Sequence, residues 1–138
     1  LILSLSTGFS LKNYIYSNNH CIHNSQKTYS DLIVTLLYPY IEEPVENFYK
    51  QYIIYGALFS QDELKILSIE KPKDSFYSFT IVIEITPYLG PHNTIGRDRI
   101  TLTVSPDGKV TLNKFEHIES FEIAPNYKQF IKLWPPPN

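Results

Sequence analysis

Residues 75–86 read SFYSFTIVIEIT, and the period of that run decides the fold. In an extended chain Tyr77, Phe79, Ile81, Ile83 and Ile85 fall on one side, while Ser78, Thr80, Val82, Glu84 and Thr86 fall on the other. Helical winding would scatter the same apolar residues round an axis. The run is therefore a strand with one apolar side, and its β-branched and aromatic content suits a pleated, half-buried surface.

Working outward, the same period recurs on both sides. LKILSIEK (64–71) is a candidate strand ended by Pro72 and the charged turn KPKDS. RDRITLTV (97–104) alternates Ile100, Leu102 and Val104 with Arg99, Thr101 and Thr103. SPDGK (105–109) then spells a hairpin turn, with Pro106 presetting φ and Gly108 taking the left-handed position. Val110 and Leu112 begin the return strand, which runs to about Glu119.

Upstream of residue 56 the period changes. Ser30 or Asp31 can cap a helix. Beyond it Ile33, Leu36, Leu37 and Tyr40 form one helical stripe, and Ile41, Val45, Phe48 and Tyr52 a second. The two stripes are offset by roughly 100° at 3.6 residues per turn. Pro39 and Pro44 lie at the seam, and a proline removes a backbone donor inside a helix. The spacing predicts a helix over 31–38, a kink or break, a second helical stretch to about residue 54, and termination at Gly56. The expected architecture is α+β: a kinked N-terminal helix packed on a four-stranded antiparallel sheet, cystatin-like or a reduced nuclear-transport-factor-like cone.

Around that domain, placed at 30–119, lie three less regular stretches. LILSLSTGFS (1–10) pairs a short apolar run with Ser6, Gly8 and Ser10, as at the cleavage end of a secretory signal, and is expected to be its truncated remnant. The Asn-rich residues 11–29 read as a linker or weakly ordered arm. Residues 120–138 form a C-terminal extension whose Phe121, Ile123, Tyr127, Phe130, Ile131 and Trp134 are too many apolar groups for a disordered end.

The chain has 138 residues and a net charge of −2, with no run of Lys or Arg, so it fits one domain and offers no basic patch for nucleic acid. The single Cys21 permits no internal disulfide. Five glycines, at 8, 56, 90, 96 and 108, assemble neither a phosphate-binding loop nor a dinucleotide fingerprint. His20, Cys21 and His23 carry zinc-binding side chains, and Glu42, Glu43 and Glu46 could hold a hard cation, but neither set has the spacing of a complete site. No metal and no cofactor is expected.

PYLGPHNTIG (87–96), between two strands, places His92 where loops often carry function. His92 with Glu84 or Asp98 is the candidate catalytic set, for a small hydrolase or isomerase with a cone-shaped pocket. His92, Asn93, Arg97 and Arg99 are the candidate binding set, since two arginines at a strand start can grip an anion. Against catalysis, the presumed core faces are wholly apolar and Glu84 points away from them. The loop then reads as a corner device in which His92 is a strut. His117, between Glu116 and Glu119, reads as a surface histidine, and Tyr14, Tyr16, Tyr49, Tyr55 and Phe59 as aromatics free for contact.

LIVTLLYPYIEEPVENFY (32–49), LKILSIEK, the His92-Asn93 pair ahead of Gly96, and RITLTVSPDGKV (99–110) together resemble a family of small exported proteins of unknown function from spore-forming Gram-positive bacteria. The resemblance runs from about Asp31 to Glu119. Thr94 and Ile95 stand where a more Pro-rich connection is expected, and the tail is longer than the family requires. The resemblance implies an extracytoplasmic or secreted protein and carries no catalytic residues with it. The expected function is a non-enzymatic binding or assembly module for a protein or small ligand, attached to a membrane, if at all, through an N-terminal anchor.

Overall fold

The computed structural model describes the backbone of residues 11–91 and 93–136 and the side chains of residues 26–91 and 93–136. The element order is α1 (Leu11–Tyr49), β1 (Leu64–Glu70), β2 (Phe79–Ile85), β3 (Tyr88–Leu89), β4 (Asn93–Thr94), β5 (Gly96–Val104) and β6 (Val110–Ser120). Short 3-10 turns cover Gln61–Glu63 and Pro125–Phe130. The class is α+β, as the alternating runs imply. The chain divides at Leu32/Ile33 into two compact units, and α1 crosses that division. Within the first unit the described backbone is helical, with Lys27 Nζ 2.6 Å from Asp31 Oδ2.

In the second unit a four-stranded antiparallel sheet has the order β1-β2-β5-β6, and β3 and β4 form a hairpin within the β2–β5 connection. Ile83 lies opposite Ile66 on one side and Ile100 on the other, so the isoleucine side of residues 79–85 is continuous across strands. Ile83, Ile85, Ile100 and Leu102 are fully buried. The opposite face carries a row of alternating charge, Lys65–Glu84–Arg99–Glu116, in cross-strand register. One face dry and one face wet is the arrangement that strict alternation encodes. The register slips at Leu67 on β1 and at Asn113 and Ile118 on β6, where one residue is left unpaired. Gly108 has φ +81° in the β5–β6 turn, the left-handed conformation expected there.

Three expectations are corrected. First, α1 does not break: it runs through Pro39 and Pro44 and ends at Tyr49, and as far as it is described it reaches back to Leu11, so residues 11–29 are helical backbone. From Ile33 onward its buried stripe is Val34, Leu37, Ile41, Val45 and Tyr49, spaced by three or four and unbroken across both prolines. Each proline costs about 3 kcal/mol in a helix interior. Burying five such side chains yields about 1.5–3 kcal/mol apiece, so packing outweighs the local rule. Second, the stripe is rotated from the expected one, leaving Leu36 63% and Tyr40 44% exposed. Third, Tyr49 is buried in the core, and Tyr77 lies outside β2 and is exposed. The C-terminal stretch packs on the core of the second unit as far as it is described. Ile131 bridges to Ile53, and the Trp134 indole N–H donates to the Phe121 carbonyl at 3.0 Å.

Candidate functional site

At the end of the sheet where β5 begins and β6 finishes, a polar cluster interrupts the core. Asp98 has the strand parity of Ile100 and Leu102, so its carboxylate enters the core face and is fully buried. Opposite it in register is His117, which shares the parity of Phe115. The imidazole Nδ1 lies 2.7 Å from Asp98 Oδ1, and Nε2 lies 2.7 Å from Ser120 Oγ. Ser120 has the wrong parity for that face in a regular strand. The bulge at Ile118 corrects it by adding one residue between His117 and Glu119.

The order Asp–His–Ser is that of a proton relay. In the neutral imidazole, Nδ1–H donates to the carboxylate and Nε2 accepts from the serine hydroxyl. Rings enclose the imidazole, whose side chain is only 12% exposed. Phe48 stacks on it at 5.0 Å between centroids, while Tyr49 and Trp134 approach edge-on at 6.1 and 6.5 Å. The expectation of a surface His117 is therefore corrected. Burial pushes the Asp98 carboxyl above its ordinary value, against lowering contributions from His117 and Tyr49. Burial, and then the Asp98 charge, pushes the Tyr49 phenol far upward. The phenol oxygen and Asp98 Oδ2 face this polar core without a well-aligned partner.

Gly96, opposite Ser120, makes the cluster possible. A Cβ there would stand 2.8 Å from the Glu119 carbonyl, 2.9 Å from the Tyr49 hydroxyl and 3.1 Å from His117 Cε1. Gly96→Ala is expected to lower stability by about 1–3 kcal/mol, because a backbone carbonyl cannot swing aside as a side chain can. Urea titration reads the shift. An unchanged midpoint would mean that β6 gives way freely and that the close approach is incidental.

A second feature lies at the other end of the sheet. Between residues 33–40 of α1 and the facing ends of the strands, a cleft of about 540 Å³ is lined by Ile33, Leu36, Leu37, Tyr40, Ile69, Phe79, Ile81, Val104, Gly108 and Val110. None of these residues carries a formal charge. The volume is that of a small-molecule site. Leu36, Tyr40 and Ile69 are lining residues that stay substantially exposed, and Phe76 and Tyr77 project from the adjoining β1–β2 connection.

The candidates read from sequence are dispersed. His92 lies outside the described residues. Asp98 is committed to His117, and Glu84 sits on the opposite face of the sheet beside Lys65 and Arg99, so Glu84 and Asp98 do not share a pocket. Arg97 pairs with Glu119 at 2.8 Å, Arg99 lies between Glu84 and Glu116, and Asn93 is half-buried opposite Leu89. Near the 87–96 hairpin a polar hollow of about 380 Å³ is lined by Ser60, Glu63, Tyr88, Pro91 and Thr94, and the Thr86 hydroxyl donates to Glu63 at 2.5 Å. Tyr55 is exposed as expected, whereas Phe59 packs against the core edge. The side chains of Tyr14, Tyr16, His20, Cys21 and His23 lie outside the described residues.

Glu46 pairs with Lys50 at 2.6 Å, and among the described residues no three His, Cys, Asp or Glu gather as a metal site. No helix among the described residues is long and apolar enough to cross a membrane. Asp98 was legible, since parity with Ile100 and Leu102 puts it on the core face. His117 has the opposite parity to Val110 and Leu112 and reaches that face only through the slip at Asn113, as Ser120 does through the one at Ile118.

No curated protein and no solved structure matches the chain. The family described as "Protein of unknown function (DUF3888)" matches residues 29–119. That span takes in the four strands up to Glu119, the whole α1 core stripe, the apolar cleft, and Asp98 and His117 of the polar cluster but not Ser120 or Trp134. The chain belongs to that family.

Proposed function

We propose that the chain is a non-enzymatic, extracytoplasmic binding module whose ligand occupies the apolar cleft between α1 and the sheet. The observation that carries this reading is the cleft itself: a solvent-open concavity of about 540 Å³ with no charged lining residue, bordered by exposed Leu36 and Tyr40. A folded chain gains nothing by leaving such surface wet, so it marks a place for a ligand or partner. The polar cluster, by contrast, is enclosed by Phe48, Tyr49 and Trp134 and works as a strut joining α1, β5 and β6. Export is supported by the apolar stretch 1–10 with its small residues, and fractionation of cells expressing the full-length protein tests it.

The test of binding uses N-phenyl-1-naphthylamine, a neutral probe that fluoresces in apolar surroundings. The native chain is expected to enhance its emission saturably, and Leu36→Lys to abolish the enhancement while leaving the urea midpoint nearly unchanged, since Leu36 is 63% exposed. Equal enhancement by both proteins would overturn the cleft as the site.

One observation favours a second, hydrolytic reading, namely the continuous Asp98–His117–Ser120 hydrogen-bond chain. It requires Ser120 to react with a fluorophosphonate in a manner that His117→Gln abolishes. The expected result is no labelling of the folded protein, and labelling at Ser120 would replace the binding reading with the catalytic one.

A further inference from the structure

We propose that the occupant of the cleft is a free single-chain amphiphile with a carboxylate head, its alkyl chain in the cleft and its head among the lysines of the two hairpin connections. This inference rests on the preceding reading of the cleft and adds the ligand's chemistry. The lining supplies no formal charge and almost no hydrogen-bonding groups beyond the Tyr40 hydroxyl, so whatever part of a ligand lies inside must be apolar. A water-soluble ligand must then keep a polar end outside, and the charges at the border decide its sign.

That border is formed by the β1–β2 connection (71–78) and the β5–β6 turn (105–109). Ile69 and Phe79 flank the first, while Gly108 and Val110 line the cleft directly beside the second. The two connections contain Lys71, Lys73 and Lys109, against Asp74 and Asp107. None of the three lysines belongs to the ion pairs found among the described residues. Asp107 is turned into its own loop, where Oδ1 accepts the Lys109 backbone N–H at 3.2 Å. Glu70, the nearest acid on β1, is opposite Thr80 and so belongs to the charged outer face of the sheet. Lys71 Nζ is held 5.6 Å from the Tyr77 ring centroid, which fixes one ammonium beside exposed aromatic surface. With Asp74 and Asp107 counted against the three lysines, the two connections carry a net charge of +1, so the border is weakly cationic where the cleft is apolar. That combination accepts an anionic head, is indifferent to a neutral one and repels a cationic one.

Displacement of the bound naphthylamine probe tests this with three twelve-carbon amphiphiles below their micellar concentrations. Dodecanoate is expected to displace it at about fivefold lower concentration than dodecanol, the ratio that roughly 1 kcal/mol of solvent-exposed ion pairing supplies. Dodecyltrimethylammonium is expected to be the weakest. The advantage of dodecanoate should shrink at high salt and vanish in Lys71→Gln/Lys109→Gln, which still binds the neutral probe. Equal displacement by acid and alcohol, or a preference that survives the double substitution, would overturn the carboxylate head while leaving the cleft as a binding site. Co-sedimentation with phosphatidylglycerol vesicles, without displacement by free dodecanoate, would overturn it in favour of bilayer lipid. A probe that never binds would overturn the cleft reading and this inference together, before any amphiphile is added.

Discussion

Asp98→Ala is expected to destabilise the fold by about 3–5 kcal/mol, the range for removing one partner of a buried, hydrogen-bonded pair. The loss exceeds that of a surface ion pair because nothing replaces the carboxylate. His117 Nδ1 loses its partner at 2.7 Å, and the buried Tyr49 phenol loses the neighbouring carboxylate. Asp98→Asn keeps an acceptor of the same shape and is expected to cost about 1–2 kcal/mol. The two also differ in their dependence on pH. Burial raises the Asp98 pKa above its ordinary 3.8, so the folded chain holds that proton more tightly than the unfolded chain does. For a carboxyl shifted upward, stability declines as pH climbs through the window that opens at 3.8 and closes at the raised value. Asn cannot titrate, so Asp98→Asn should flatten the stability profile in that window. Urea midpoints measured across the acid range check both statements. Equal losses for Ala and Asn would mean that the hydrogen bond to His117 contributes little.

Ile83→Ala is expected to cost about 2–5 kcal/mol, against less than about 0.5 kcal/mol for Leu36→Ala. Ile83 is fully buried with isoleucines on both neighbouring strands, so truncation leaves a cavity that a sheet cannot collapse into. Leu36 is largely solvent-exposed on the rim of the cleft. The melting temperature of Ile83→Ala should fall by roughly 10 °C or more, while that of Leu36→Ala stays near the parent value. Comparable falls would show that the helical stripe containing Leu36 is the buried one, and the cleft would then be a packed seam.

The contrast between those two residues also marks how far the sequence could be read. The strands were legible because a period of two leaves only two faces, and Ile81, Ile83 and Ile85 fill one of them. Glu84 was placed on the outer face for the same reason. In α1 the apolar residues are too many for one stripe, so Ile33-Leu36-Leu37-Tyr40 and Val34-Leu37-Ile41-Val45 are both defensible, and only the sheet chooses between them. Pro39 and Pro44 pointed to a break because the proline rule is local, whereas the helix is held by contacts with distant strands. The polar cluster combined both situations. Parity was enough for Asp98, but His117 needed the Asn113 bulge, Ser120 the Ile118 bulge, and Gly96 knowledge of what stands above it. Tyr49 and Trp134, 85 positions apart in the numbering, meet at 6.2 Å only after folding.

The unpaired residues at Leu67, Asn113 and Ile118 bear on how copies of the chain treat one another. They lie on β1 and β6, the two margins of the sheet, and each interrupts the even spacing of outward N–H and C=O groups that an incoming strand would have to match. A margin broken in this way is a poor template for zipping one molecule onto the next. Fibrous growth along the sheet is thereby disfavoured even though, among the described residues, no further strand pairs with either margin.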